Sequence, residues 1–168
     1  MEIWDVYDAR RQPTGRTHMR GVPMQPGDYH LIVFVWIFNS RGQLLLTKRS
    51  PEKESYPNLW ETTGGAVVAG ETSREAIVRE LREETGICAA PEEFIFLDSV
   101  RGKMWISDTY ALRRDVPLSK IVFQQGETCG ARWVNRAAFE KMIAAGEVAQ
   151  PDVQRFHALA HIFSEYLK

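Results

Sequence analysis

At 168 residues the chain is long enough for one domain with a real core and hardly long enough for two. Hydrophobic residues at 44% and charged residues at 26% exclude a disordered or fibrous chain, and a net charge of −1 leaves no basic face for bulk nucleic-acid binding. Two cysteines, Cys88 and Cys129, are too few and too far apart for a disulfide framework or a zinc cluster, and they read as buried thiols of a cytoplasmic protein.

The first residues, "MEIWDVYDARRQ", carry acids where a signal peptide needs a basic segment followed by an apolar run, which argues against export. Weak alternation about a Pro-Thr-Gly turn predicts an N-terminal hairpin over 1–28. "HLIVFVWIFN", "SRG" and "QLLLTKR" predict two long strands joined at Gly42. The run from Leu31 to Phe38 is too short to span a membrane. A Pro-, Ser- and Gly-rich stretch then leads into a short strand near Trp60.

The next helix is marked at both ends, by the capping-box pair Thr72 and Glu75 and by Gly86 as its left-handed C-terminal residue. Ile77, Val78 and Leu81 form its apolar stripe, with Glu80, Glu83 and Glu84 expected beside that stripe. Further on, "EFIFLDSV" and "MWISDTYAL" read as a hairpin and "ARWV" as a short strand. "RAAFEKMIAAG" and "DVQRFHALAHIFSEYLK" read as helices. Strands before and after a central helix, without regular βαβ alternation, predict an α+β fold with a mixed sheet, in a single domain over 1–168.

Glu80, Glu83 and Glu84 at i, i+3 and i+4 crowd one helical face, at a cost of a few tenths of a kcal/mol per like-charged pair. One account is a solvated helix whose glutamates pair with Arg74, Arg79 and Arg82. The wider pattern argues otherwise. Gly65, Glu71, Arg79-Glu80-Leu81, Glu83-Glu84 and Gly86-Ile87 match the Nudix box, over 65–87, at every fixed position. The seven required identities of the box co-occur by accident on the order of once in 10⁶ chains of this length.

The resemblance implies a Nudix-type mixed sheet sandwiched between helices, with an N-terminal β-hairpin extension. It also implies Mg²⁺-dependent hydrolysis of a diphosphate bond, in a nucleoside diphosphate derivative or another small organic diphosphate, with Mn²⁺ as a substitute ion. Glu80, Glu83 and Glu84 would be metal ligands, and either Glu80 or Glu83 would also orient or deprotonate the attacking water. The Gly65 carbonyl would add a metal contact, and Arg79 would hold Glu71 and the ligand carboxylates in place. Glu127, ahead of the "RWV" strand, is a further candidate ligand. Arg49, Lys53 and His30 are candidate substrate contacts, although a histidine in so apolar a strand also fits the sheet face.

Beyond the box, "YDARRQPTGR", "DYHLIVFVWIFNSRGQLLLTKRS" and "YPNLWETTGG" resemble the branch that contains isopentenyl-diphosphate isomerase. That enzyme needs a cysteine and, two places on, a metal-binding histidine; here the matching positions are Gly64 and Ala66. An isomerase-like enzyme and a non-catalytic diphosphate sensor are the alternatives to hydrolysis. Trp36, Trp60 and Trp105 could stack on a base or pack in the core, and His157 and His161 read as ordinary helix residues. The apolar N-terminal hairpin is a candidate surface for a homodimer.

Overall fold

In the computed structural model, which describes residues 2–168, the segment "IWDVY" is strand β1 (Ile3–Tyr7). It pairs antiparallel with β2 (Pro13–Met19) in a two-stranded sheet of their own. The turn is not at Pro-Thr-Gly as the sequence suggested: those three residues open β2, and the chain reverses over residues 8–12. Asp8 makes that turn. Its Oδ1 accepts from the N–H groups of Arg10 and Gln12, both at 2.8 Å, its carbonyl accepts from Arg11, and Arg11 takes a φ of 61°. A carboxylate that satisfies two local amides outcompetes a Pro-Thr-Gly turn, because proline is tolerated as the first residue of a strand.

The remaining strands are β3 (His30–Phe38), β4 (Leu44–Arg49), β5 (Trp60–Glu61), β6 (Thr63–Ala66), β7 (Ile95–Arg101), β8 (Trp105–Arg113) and β9 (Thr128–Val134). They form one seven-stranded sheet in the order β5-β4-β3-β8-β7, with β6 paired to β3 and β9 to β4. Four helices complete the α+β architecture: α1 (Ser73–Thr85), α2 (Arg136–Ala144), α3 (Gln150–Ala158) and α4 (Ala160–Phe163). The single C-terminal helix expected from sequence is broken at Leu159, whose ψ of 10° ends α3 and starts α4. Among the described residues no helix is long and apolar enough to cross a membrane.

Contacts between Cα atoms divide the chain into two compact units. One comprises Met1–Val35, Gly64–Leu81 and Cys88–Ala111, and the other Trp36–Thr63, Arg82–Ile87 and Leu112–Lys168.

In the first unit the core is largely aliphatic, with Leu31, Val33, Val35, Val67, Ile77, Leu81 and Ile106 buried beside Phe94 and Tyr110. The N-terminal hairpin is fastened here by Arg11, which grips the buried carboxylate of Asp108 and donates to Ser99 Oγ at 2.8 Å. Trp4 of β1 stacks on His30, with ring centroids 4.0 Å apart and planes 11° from parallel.

The second unit is built on aromatic packing. Trp36, fully buried, lies 4.4 Å from Phe163, 6.0 Å from Phe139 and 6.2 Å from Phe156, while Phe38 meets Tyr166 at 4.9 Å. Such rings carry the largest apolar areas in the chain and fix α2, α3 and α4 by their mutual geometry. The C-terminus closes the unit: the Lys168 N–H donates to the carbonyl of Gly42, and the Lys168 carbonyl accepts from Arg136.

Burial, the largest cause, pushes His30 down to about 4 from its ordinary 6.5. Between those values the unfolded chain binds a proton that the folded chain refuses, so stability is complete above about pH 6.5 and falls as the pH drops toward 4. His30→Phe, which keeps the stack on Trp4, should therefore show a smaller loss of Tm than wild type between pH 6.5 and pH 4. Equal losses in the two proteins would mean that His30 is protonated in the fold without penalty.

Candidate functional site

Helix α1 is capped as the sequence specified. The Glu75 carboxylate accepts from both the N–H and the Oγ1 of Thr72, at 2.8 Å each, and Gly86 takes a φ of 71° just past the helix end. Glu80, Glu83 and Glu84 thus leave one continuous helix within about a turn of each other.

In the first unit the organising side chain is Arg79. Its Nε and Nη2 bind the two carboxylate oxygens of Glu71 at 2.8 and 3.0 Å, its Nη1 binds Glu80 Oε1 at 2.9 Å, and Nη2 also reaches the carbonyl of Ala66 at 3.0 Å. The carboxylates hold the guanidinium above its ordinary pKa, the bonds to Glu71 contributing most. Arg74, which a solvated helix would pair with the glutamates, instead donates to the carbonyls of Pro91 and Phe94.

Gly65 lies against the same carboxylate. A Cβ built on it would sit 2.2 Å from Glu80 Oε1 and 2.3 Å from its carboxyl carbon, so only glycine lets the β6 backbone approach so closely. Gly64 is equally constrained from another direction: a Cβ there would meet the carbonyl oxygen of Val33 at 2.2 Å and the Phe34 ring at 2.5 Å.

In the second unit Glu83 is exposed, whereas Glu84 is only 8% exposed. This corrects the expectation that all three glutamates flank the apolar stripe. The buried face continues through Leu81, Glu84 and Thr85, because the last turn of α1 is covered by the segment leading into β9. Thr128 Oγ1 donates to the Glu84 carbonyl, and the Val122 N–H to that of Thr85.

Glu127, next to Thr128, pairs with Lys53, and its carbonyl accepts from the Ser50 N–H at 2.8 Å. Arg49 is also engaged: Nη1 spans the Glu61 carboxylate at 2.7 and 2.9 Å, and Nε donates to the carbonyl of Ser55. Both pairs join residues far apart in sequence, and nothing in the local pattern announces them. Nor did it announce Glu61, whose carboxyl is pushed up to about 7 by burial, helped by the Asp152 carboxylate and opposed by Arg49.

The other aromatic and thiol candidates are placed as follows. Trp36 is core, while Trp60 carries Arg132 over its ring at 4.6 Å and Lys48 at 5.9 Å. Trp105 is half-buried, and His157 and His161 are exposed on the C-terminal helices. Cys88 and Cys129 are both exposed free thiols, not the buried ones expected from sequence, and Cys129 Sγ donates weakly to the Arg49 carbonyl. Their short side chains sit at a helix-exit loop and on an outward strand position, sites that composition alone does not distinguish from core.

The donor set is entirely oxygen, which suits a hard divalent cation such as Mg²⁺. Among the described residues no three His, Cys, Asp or Glu side chains close into a cage by themselves. A Mg²⁺ site does not require one, since this ion keeps waters and takes substrate oxygens beside one or two carboxylates. The Gly65 backbone drawn against Glu80 is the feature that fits such an ion.

A family model for the NUDIX domain matches residues 28–154. The chain belongs to the Nudix family. An uncharacterized Nudix hydrolase of Listeria monocytogenes is 38% identical over 154 residues, 88% of either chain. The isopentenyl-diphosphate Delta-isomerase of Escherichia coli is 34% identical, but over 94 residues, 55% of this chain and 52% of that one. A crystal structure from Deinococcus radiodurans superposes with a TM-score of 0.75 at 28% identity, covering 99% of this chain and all of the other. The likeness to a Nudix hydrolase thus runs along nearly the whole chain, the likeness to the isomerase along about half. This Nudix protein is a hydrolase, and enzymes of the family use a divalent cation.

The position of Glu61 gives a test of the second unit's electrostatics. A carboxyl held at about 7 in the fold and near 4.5 when unfolded costs stability as the pH rises between those values. Comparing Glu61→Gln with wild type, the difference in Tm should move in favour of the variant from pH 5 to pH 7.5. A difference independent of pH would show that Glu61 ionises normally.

Proposed function

We propose that this Nudix hydrolase cleaves the diphosphate bond of a nucleoside diphosphate derivative or another organic diphosphate, in a Mg²⁺-dependent reaction. The observation that carries the reading is the junction of Gly65 with Glu80 under the grip of Arg79: the β6 backbone and a carboxylate held against each other within a complete Nudix box. Glu80, Glu83, Glu84, the Gly65 carbonyl and Glu127 are the proposed metal ligands. The ion supplies charge neutralisation along the diphosphate and a water acidic enough to attack phosphorus.

The roles of the side chains follow from their surroundings. Arg79 commits Oε1 of Glu80 to a hydrogen bond and thereby fixes its orientation, and either Glu80 or the exposed Glu83 is the carboxylate proposed to orient and deprotonate the water. Glu71 holds Arg79 with both oxygens and acts through it. Lys53, paired with Glu127, is a proposed contact for a substrate phosphate. Arg49 would meet a phosphate from its seat on Glu61. His30, uncharged at neutral pH, would contribute a neutral imidazole ring.

The isomerase alternative conflicts with the packing at Gly64. Moving a double bond needs an acid and a base on opposite faces of the alkene, and the position matched to the isomerase cysteine has room for no side chain at all. The sensor alternative offers no reason for an intact carboxylate set.

Two measurements test the proposal. Release of phosphate or nucleoside monophosphate across a diphosphate panel should require Mg²⁺ or Mn²⁺; no release from any member would sink it. Glu83→Gln and Glu84→Gln should each lower turnover by roughly two to three orders of magnitude, as for the loss of a major electrostatic stabiliser. Both variants should fold, with apo stability equal to wild type or slightly higher, since each removes one charge from a repelling row. Wild-type rates in either variant would remove that residue from the mechanism.

A further inference from the structure

We infer that strand β1, which lies outside the residues matched by the family model, is a strap that positions the metal-binding junction, and that Asp5 is its positioning residue. The inference rests on the proposed metal-dependent reading. The loop between β6 and α1 carries Glu71, and β1 holds two consecutive amides of that loop: the Ile3 carbonyl accepts from Ala69 and the Asp5 carboxylate from Gly70, both at 2.8 Å. Gly70 has a φ of 85°, a backbone state open to glycine at no cost, so nothing in its own covalent geometry holds the loop there. The strap does.

From Gly70 the path to the junction is short and continuous. Glu71 is the next residue, and its own Oε2 closes back on the Val68 N–H at 3.3 Å. Its carboxylate takes Arg79 in a two-point grip, and Arg79 holds Glu80 at 2.9 Å against Gly65. A hydrogen bond to a carboxylate is about twice as strong as one between neutral groups, so Asp5 fixes Gly70 more firmly than a backbone carbonyl would. The hairpin is itself anchored at its far end, by Arg11 on Asp108, and at its base, by the stacking of Trp4 on His30. It therefore gives the loop a fixed support.

Groups that orient a metal ligand from one step away typically change metal affinity or activity by 10–100-fold when removed. Asp5 acts two steps further back, so a smaller effect is expected. The probe is Mn²⁺, titrated into the full chain and followed by the electron paramagnetic resonance of the free ion. Asp5→Ala should weaken Mn²⁺ binding by about three- to tenfold. Asp5→Asn, whose amide oxygen still accepts from Gly70, should recover most of that loss. Arg16→Ala, which breaks the exposed Arg16–Asp28 pair on the same hairpin without touching the loop, should bind Mn²⁺ like wild type. On any diphosphate the enzyme hydrolyses, Asp5→Ala should lower kcat and raise the Mg²⁺ requirement while KM stays the same. Wild-type Mn²⁺ affinity in a folded Asp5→Ala, or an equal loss in Arg16→Ala, overturns the strap. Failure of wild type to bind Mn²⁺ at all would overturn the metal-dependent reading itself. Should Asp5→Ala not fold, Asp5→Asn decides: a partial loss of Mn²⁺ affinity that Arg16→Ala does not share supports the strap, and binding equal to that of Arg16→Ala overturns it.

Discussion

The first unit depends on one guanidinium. Arg79 satisfies both oxygens of Glu71, one of Glu80 and the carbonyl of Ala66, so a single cation joins the loop before α1, the helix itself and the end of β6. All three side chains are less than a quarter exposed, which strengthens their attraction and makes each expensive to leave alone. Arginine suits the task because its fork presents several donors in fixed directions; lysine offers one point charge. Repulsion between neighbouring helical carboxylates amounts to a few tenths of a kcal/mol per pair, whereas loss of a partly buried charge partner costs several times that. The acidic row on α1 is therefore tolerable because its first member is already committed to a cation of the same helix.

The second unit handles buried charge differently. Asp152, 3% exposed, accepts from Thr62 Oγ1 at 2.6 Å, and burial raises its pKa against the pull of Arg155. Burial lowers the pKa of Arg155 in turn, and raises that of Glu61 despite its two-point contact with Arg49. Desolvation outweighs pairing at each of these groups, so the cluster contributes little net stability. What it fixes is geometry. Arg49 spans from Glu61 to the carbonyl of Ser55, across a loop in which Tyr56 and Asn58 both adopt positive φ. Non-glycine residues in that region carry strain of order 1–3 kcal/mol, and they persist only where surrounding bonds over-determine the backbone. The arginine bridge is one such constraint, and it ties the shape of the loop to Glu61, whose carboxyl is held at about 7.

How much of this was legible from the sequence follows from the range of each interaction. The helix carrying the box was readable to the residue at both ends, because capping and left-handed C-terminal glycine are rules over three or four neighbours. The two long strands were equally plain, being continuous apolar runs around a turn at Gly42. The first turn was misplaced since two local signals competed, Asp8 against Pro13-Thr14-Gly15, and side-chain bonds from Asp8 prevailed. The burial of Glu84, the exposure of both cysteines and the pairs Lys53–Glu127 and Arg49–Glu61 were not legible. Each depends on which distant segment covers a position, and periodicity describes only the face a residue shares, not what lies opposite.

The same distinction explains why residues outside the box separate hydrolysis from isomerisation. Along the chain, Gly64 and Gly65 are two identical letters of a common turn-like pair. In the fold they serve opposite neighbours: Gly65 admits the Glu80 carboxylate, and Gly64 admits the Val33 carbonyl of β3 and the Phe34 ring. A cysteine at Gly64 would have to displace a strand carbonyl, not the end of a flexible side chain, and proteins relieve such overlaps only by moving backbone. The close packing of β6 on β3 thus weighs against the isomerase alternative, in keeping with the proposed hydrolysis. Gly65, the next residue along β6, lies against Glu80, so the glycine pair that leaves no room for the alkene acid also admits a proposed cation ligand.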